Sequence, residues 1–350
     1  MSSFSPTKPP KSKLQFLQKL AVLRPSTQMR FRALDLFAGC GGLALGFEAA
    51  GFHTIGYELD ADCCDTYRAN LAGDCHEIRL TPETVFPDAD IVIGGPPCQP
   101  FSVGGHQRGM DDERNGLPAF IAAIKQVRPR AWMFENVRGL LYRNRSYLDA
   151  AIHTLERLGY IVEYRLLNAA RFGVPQSRER VIVVGHRGGF VFPESEARTV
   201  TAGEALEGVE SPSDAKAKYL TPSMDQYVAK YELASKCVTP RDLHLDRPAR
   251  TVTCRNLSAP TGDMHRLRLP DGRRRRLTVR EGARLQSFPD WFALQGSETS
   301  QYNQLGNAVP PLLAFALARQ FAQLLDHGGS ATEAEIKERW QIGQREMVFA

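Results

Sequence analysis

The sequence predicts an α/β protein: a doubly wound, mostly parallel sheet with a second, small, irregular domain placed late in the chain. Three observations carry this. Short apolar runs alternate with segments of 3.6-residue periodicity up to residue 187. The alternation then fails over residues 188–275, where turn signals such as "PDG" and a dense run of arginines collect. Helical patterning returns from "RRLTVREGARLQSF" onward.

Taken in order, "MSSFSPTKPP" reads as disordered and "KLQFLQKLAVL" as a short basic amphipathic helix. "ALDLF" is a buried strand, "AGCGG" a tight loop, and "LALGFEAAG" a helix with Leu43, Phe47 and Ala50 on one face. "HTIGYELD" is a second strand ending near the acid Glu58, and "DADCCDTYRANL" is helical. "DIVIGG" and "RAWMFENV" are strands around the helix "LPAFIAAIKQV". The helix "SYLDAAIHTLERLG" precedes strands "YIVEYRLL" and "RVIVVG". The last helix is "PPLLAFALARQFAQLL". These readings divide the chain into a basic extension (1–30), a main domain (31–187), a small domain (188–275), a return segment (276–328) and a tail (329–350).

With 350 residues, 43% of them hydrophobic, the chain can bury a substantial core. It has no run of 18 apolar residues and no apolar leader, so a cytoplasmic, non-membrane protein is expected. Seven scattered cysteines (Cys40, Cys63, Cys64, Cys75, Cys98, Cys237 and Cys254) show no CxxC or Cys/His spacing. Free thiols and no metal follow. The net charge of +5 is unevenly spread: residues 1–34 hold seven cations and no acid, and residues 236–280 carry a net +8. Two basic segments on an acidic body suggest a polyanion partner.

Chemistry concentrates in four places. "DLFAGCGG" puts a glycine loop between strand and helix, where backbone N–H groups can approach a ligand. Glu58, 19 residues after Gly39, is placed to accept ribose hydroxyls. The loop is not GxGxxG, so an adenosine-bearing cofactor other than a dinucleotide is favoured, although the glycines could simply make a tight turn. "DIVIGGPPCQPFSVGG" ends a strand on two stiff prolines and then the thiol of Cys98. A thiol near a helix N-terminus or arginines can ionise and act as a nucleophile. The following "HQRGMDDERNG" is polar and glycine-hinged, suited to a closing lid. In "FENV", Glu135 ends an apolar strand where a carboxylate has no packing reason to sit. In "QSRER", Gln176, Arg178 and Arg180 alternate and share a face if extended, so the arginine pair could anchor a carboxylate and a thiol.

"DLFAGCGG", "GGPPCQPFS", "FENVRGL", "GVPQSRERVIVVG", "RLTVREGARLQSFPDWF" and "YNQLGNAVPP" stand in the order found in cytosine-5 DNA methyltransferases, and the chain resembles the prokaryotic, restriction-modification members of that family over residues 32–187 and 273–325. The resemblance implies a Rossmann-like methyltransferase sheet using S-adenosylmethionine, with a target-recognition domain at 188–275 and a last helix that completes the first domain. It implies methylation of cytosine carbon 5 in a specific double-stranded sequence by base flipping. Cys98 would attack carbon 6, Glu135 would protonate ring nitrogen 3, and Arg178 and Arg180 would complete the catalytic set. Cofactor contacts would fall on Phe37, Ala38, Gly39, Gly42 and Leu43, on Glu58 for the ribose, and on Glu77, Ile78, Pro97, Leu117 and Asn307. Cys40 is assigned no chemistry.

For DNA, the resemblance and the basic charge point to Ser102, Gln176, Arg250, Thr251, Thr253 and Arg255. Arg273, Arg274, Arg275 and Arg276 read as a phosphate-binding hairpin with at least two side chains outward. The Cys-Phe-Thr tripeptide of the tRNA-methylating branch is absent. A monomer associated with the nucleoid, with a cognate restriction endonuclease encoded nearby, completes the expectation.

Overall fold

The computed structural model describes residues 11–97, 115–142, 144–209, 217–234, 236, 241–258 and 263–327, with side chains from residue 15. Seven strands form one sheet: β1 (Phe31–Leu36), β2 (Phe52–Glu58), β3 (Cys75–Glu77), β4 (Ile91–Gly94), β5 (Ala131–Val137), β6 (Ile161–Asn168) and β7 (Glu179–His186), in the order β3-β2-β1-β4-β5-β7-β6. Pairs among β1 to β5 are parallel, whereas β7 runs antiparallel between β5 and β6. The connection between β6 and β7, residues 169–178, carries only a 3-10 turn. It is too short for a helical crossover, so the returning strand must run antiparallel.

Alternate residues of the central strands face opposite sides. Ala33, Ile93, Met133 and Ile182 point toward α2 (Gly42–Ala49) and α11 (Pro311–Asp326), while Leu34, Val92, Trp132 and Val183 point toward α4 (Leu117–Val127) and α5 (Arg145–Glu156). The last helix does return to the main sheet. A Cβ on Gly46 of α2 would sit 2.4 Å from the Phe315 backbone nitrogen, so only glycine allows this approach.

The extension helix α1 (Lys11–Ala21) docks through Phe16 and Leu20, and Lys19 pairs with Glu196. Residues early in the 188–275 stretch also enter the main core: Phe190, Phe192, Val200, Ala202 and Ala205 are buried with it. A separate small cluster of Leu220, Val228 and Met264 lies beside the hairpin of β8 (Arg266–Arg268) and β9 (Arg274–Arg276). Among the described residues, no single helix is long and apolar enough to cross a membrane.

Candidate active site

A cleft of about 840 Å³ opens at the C-terminal ends of β1, β2, β4 and β5. The strand order reverses there between β1 and β4, the usual ligand position in open α/β sheets. The glycine loop forms one wall. Phe37 and Gly39 hold φ of +58° and +54°, a left-handed conformation that costs a phenylalanine more than a glycine. Glu58 locks this loop: its carboxylate accepts Gly39 N–H at 2.8 Å, Leu59 N–H at 2.7 Å and Asp60 N–H at 3.0 Å. Phe37, Ala38, Gly39, Leu43, Glu58, Ile78, Pro97 and Asn307 all line the cleft.

Three predicted cofactor residues do not line it. Gly42 packs beneath, where a Cβ would fall 2.4 Å from the Val309 carbonyl. Leu117 is buried in the α4 cluster, and Glu77 is exposed at the end of β3. Sequence reasoning missed Asp35 on β1, which lines the cleft, is fully buried, and has no hydrogen-bond partner on either carboxylate oxygen. Burial, reinforced by Glu58, holds its carboxyl well above the ordinary range. The available signal was an acid inside the apolar run "ALDLF", the same signal that marked Glu135.

The opposite wall holds a partly buried ion pair. Glu135, two residues before the end of β5, forms an ion pair with Arg180, Nε to carboxylate oxygen 2.7 Å, and both side chains are nearly buried, 12% and 13% exposed. Its neighbour Asn136 donates to the Pro96 carbonyl at 3.0 Å, and Gly116 N–H donates to the Pro97 carbonyl at 3.0 Å. The two prolines are therefore clamped beside Glu135, immediately before Cys98 in the chain. Cys98 and Ser102 themselves lie outside the described residues, as does the expected lid. Burial pushes the thiols of Cys40, Cys63, Cys64, Cys75 and Cys254 up, that of Cys40 to about 12. None of these five is a ready nucleophile at neutral pH.

Arg178 also reaches the cleft, but its guanidinium spans two segments, donating to Val252 O at 2.8 Å and to Gly306 O at 3.3 Å. Burial and the adjacent Arg180 lower its proton affinity.

The expected DNA-facing set needs correction. Gln176 is fully buried; it accepts Val252 N–H at 2.8 Å and donates to Gln286, because its segment bridges to Ala249 ahead of β7. Arg275 is buried against Glu281, with both guanidinium contacts at 2.7 Å. Arg274 pairs with Asp225 and Asp242, and Arg276 donates to the Leu257 and Ser258 carbonyls at the end of α8 (Cys254–Ser258). Of the four hairpin arginines, only Arg273 is exposed, lying over Tyr219 and paired with Asp271. A two-residue alternation in β9 turns its middle residue inward, acids pair with Arg273 and Arg274, and backbone carbonyls hold Arg276. Arg250 pairs with Asp263 at 3.0 Å. Thr251 donates to Ser177 O at 2.7 Å, and Thr253 caps the start of α8 by accepting Asn256 N–H at 3.2 Å. Arg255 is exposed on α8.

Comparison with known proteins agrees with this geometry. The family model of the C-5 cytosine-specific DNA methylases matches residues 31–323. The chain is 54% identical over 316 residues to the type II methyltransferase M.AplI of Arthrospira platensis, covering 89% of this chain and 92% of that one. It is 36% identical to the type II methyltransferase M1.HphI of Haemophilus parahaemolyticus, covering 83% and 86%. The fold matches the crystal structure of a Spodoptera frugiperda DNMT2 mutant with a TM-score of 0.65 at 18% identity, covering 83% of this chain and 100% of that one. The glycine loop locked by Glu58, the clamped prolines and the Glu135–Arg180 pair thus sit in a chain that belongs to the C-5 cytosine-specific DNA methylases, enzymes that methylate DNA from S-adenosylmethionine.

Proposed function

We propose that this cleft methylates cytosine within one specific double-stranded sequence, by flipping the base and forming a transient bond to Cys98. The observation that carries the reading is the Glu135–Arg180 pair beside the clamped prolines. Flipping the base costs a few kcal/mol of stacking and pairing. Cys98, as a thiolate, adds to carbon 6 while Glu135 delivers a proton to ring nitrogen 3. The electron pair released into the ring makes carbon 5 nucleophilic. Arg180 keeps Glu135 pointed at the base and balances its charge when the proton leaves. Once carbon 5 carries the methyl group, solvent water takes its proton, the electron pair of that C–H bond expels the Cys98 thiolate from carbon 6, and nitrogen 3 returns its proton to Glu135.

The residues present fit S-adenosylmethionine. Asp35 offers an unpaired buried carboxyl to the cationic methionine end, Glu58 faces the ribose, and Phe37 and Ile78 give apolar surface to the adenine. When bound, that molecule supplies a methyl carbon made electrophilic by its sulfonium. Arg255 and Arg273 are the exposed cations of the recognition region best placed for phosphates. We place the recognition region within residues 188–275, and propose a monomer acting in the cytoplasm alongside a cognate endonuclease, by analogy with the type II relatives. Bisulfite sequencing of DNA from cells expressing the protein tests the reading. Protection confined to one sequence is expected; an unchanged methylation pattern with intact protein contradicts it.

A further inference from the structure

Residues 249–254, in the recognition region, and residues 305–309, on the cofactor cleft, are joined through two buried glutamines. Val252 is fully buried, and both of its backbone polar groups are held by side chains from one short segment: Gln176 takes its N–H at 2.8 Å and Arg178 gives to its carbonyl at 2.8 Å. Gln176 Nε2 then donates to Gln286 Oε1 at 2.6 Å and to Leu285 O at 2.9 Å. Gln286 Nε2 continues to the carbonyls of Leu305 and, at 3.5 Å, Ala308. Both glutamines are fully excluded from solvent. The two segments also touch directly, because a Cβ on Gly306 would lie 2.1 Å from Cys254 N and 2.6 Å from the Thr253 carbonyl carbon. On its other side the same turn presents Asn307, Ala308 and Val309 to the cleft.

An amide has one accepting and one donating end, so two amides in series fix a direction: Val252 to Gln176 to Gln286 to the 305–308 carbonyls. Moving either segment breaks a hydrogen bond where no water can replace it, which leaves a buried polar group unpaired. We infer that the Gln176–Gln286 pair is a positioning device that couples DNA engagement at 249–254 to cofactor engagement at 305–309. The two ligands then bind cooperatively. The inference rests on the proposed function, which puts the recognition region within residues 188–275 and the cofactor in the cleft that residues 306–309 line.

The test measures S-adenosylhomocysteine affinity by calorimetry, with and without a duplex carrying the sequence mapped by bisulfite. For the wild type, the duplex should tighten binding on the order of tenfold, within the usual range of coupling between sites. In Gln286→Met, which preserves side-chain length, the ratio should fall to near one while affinity without DNA changes by less than about twofold. A double variant, Gln176→Met/Gln286→Met, removes both partners and should match the single variant, because the pair acts as a unit. On the unaltered protein, S-adenosylhomocysteine alone should slow hydrogen exchange across residues 249–254. A variant that keeps the wild-type ratio, a wild-type ratio of one, or unchanged exchange at 249–254 overturns the inference and leaves the proposed function standing. A wild type that binds neither ligand overturns the proposed function instead.

Discussion

Asp35 and Glu135 are carboxyls that packing alone does not call for. Asp35 is a carboxyl with no partner in a dry site, its ordinary value of 3.8 raised well up by burial and then by Glu58. The folded state therefore binds a proton that the unfolded chain releases, and stability falls as pH climbs from about 4 through the raised value. Asp35→Asn should raise the melting midpoint of the cofactor-free protein at pH 7, raise it less near pH 4, and weaken S-adenosylmethionine binding by tenfold or more, roughly the worth of a charge-assisted contact. A variant that melts lower at pH 7 and binds cofactor normally would contradict this role. Glu135→Gln cannot deliver a proton and should cut turnover by about 100-fold while leaving cofactor affinity intact; collapse of cofactor binding would move Glu135 into the cofactor pocket. Cys98→Ser should abolish transfer yet keep DNA binding, because a hydroxyl is not ionised at neutral pH. Glu58, at the end of β2, and Glu135, two residues before the end of β5, are legible in the sequence because each stands beside a local motif. Asp35, one residue before the end of β1, carries the same signal and the sequence reading overlooks it.

At the scale of elements, the strands and helices of the main sheet other than the three-residue β3 fall within a few residues of the sequence reading, since each depends on its own periodicity. The antiparallel insertion of β7 between β5 and β6 was not legible, because pairing order depends on contacts far apart in sequence. The arginine hairpin fails for the same reason: its acids, Asp225, Asp242 and Glu281, stand in other segments. Arg275 and Glu281 are 3% and 5% exposed, and Glu281 also closes the capping box of α9 (Val279–Leu285) with Thr278. Arg275→Met should thus cost about 3–5 kcal/mol in urea unfolding, the scale of a broken buried pair. Arg255→Ala, on an exposed face, should cost little stability and reduce the log–log salt slope of DNA binding by about 0.9. If instead Arg275→Met lowers the salt slope with stability unchanged, the hairpin reaches DNA after all.

Over the whole molecule, three walls meet at one cleft: the glycine loop of β1, the proline segment after β4, and the turn before α11. The recognition region is tied to the last of these through buried amides, so the cofactor side and the DNA side form one mechanical unit. On the proposed function, the chain must hold a cytosine against Cys98 long enough for carbon 5 to be methylated. The most direct measurement uses a cognate duplex whose target cytosine carries fluorine at carbon 5, incubated with the protein and S-adenosylmethionine and resolved on a denaturing gel with mass analysis. Fluorine cannot leave as a proton does, so the thiolate cannot be expelled. The expected product is a stable protein–DNA species, dependent on S-adenosylmethionine, one methyl group heavier than the simple sum, and cross-linked at the peptide containing Cys98. A preparation that methylates the ordinary duplex but yields no such species would contradict it.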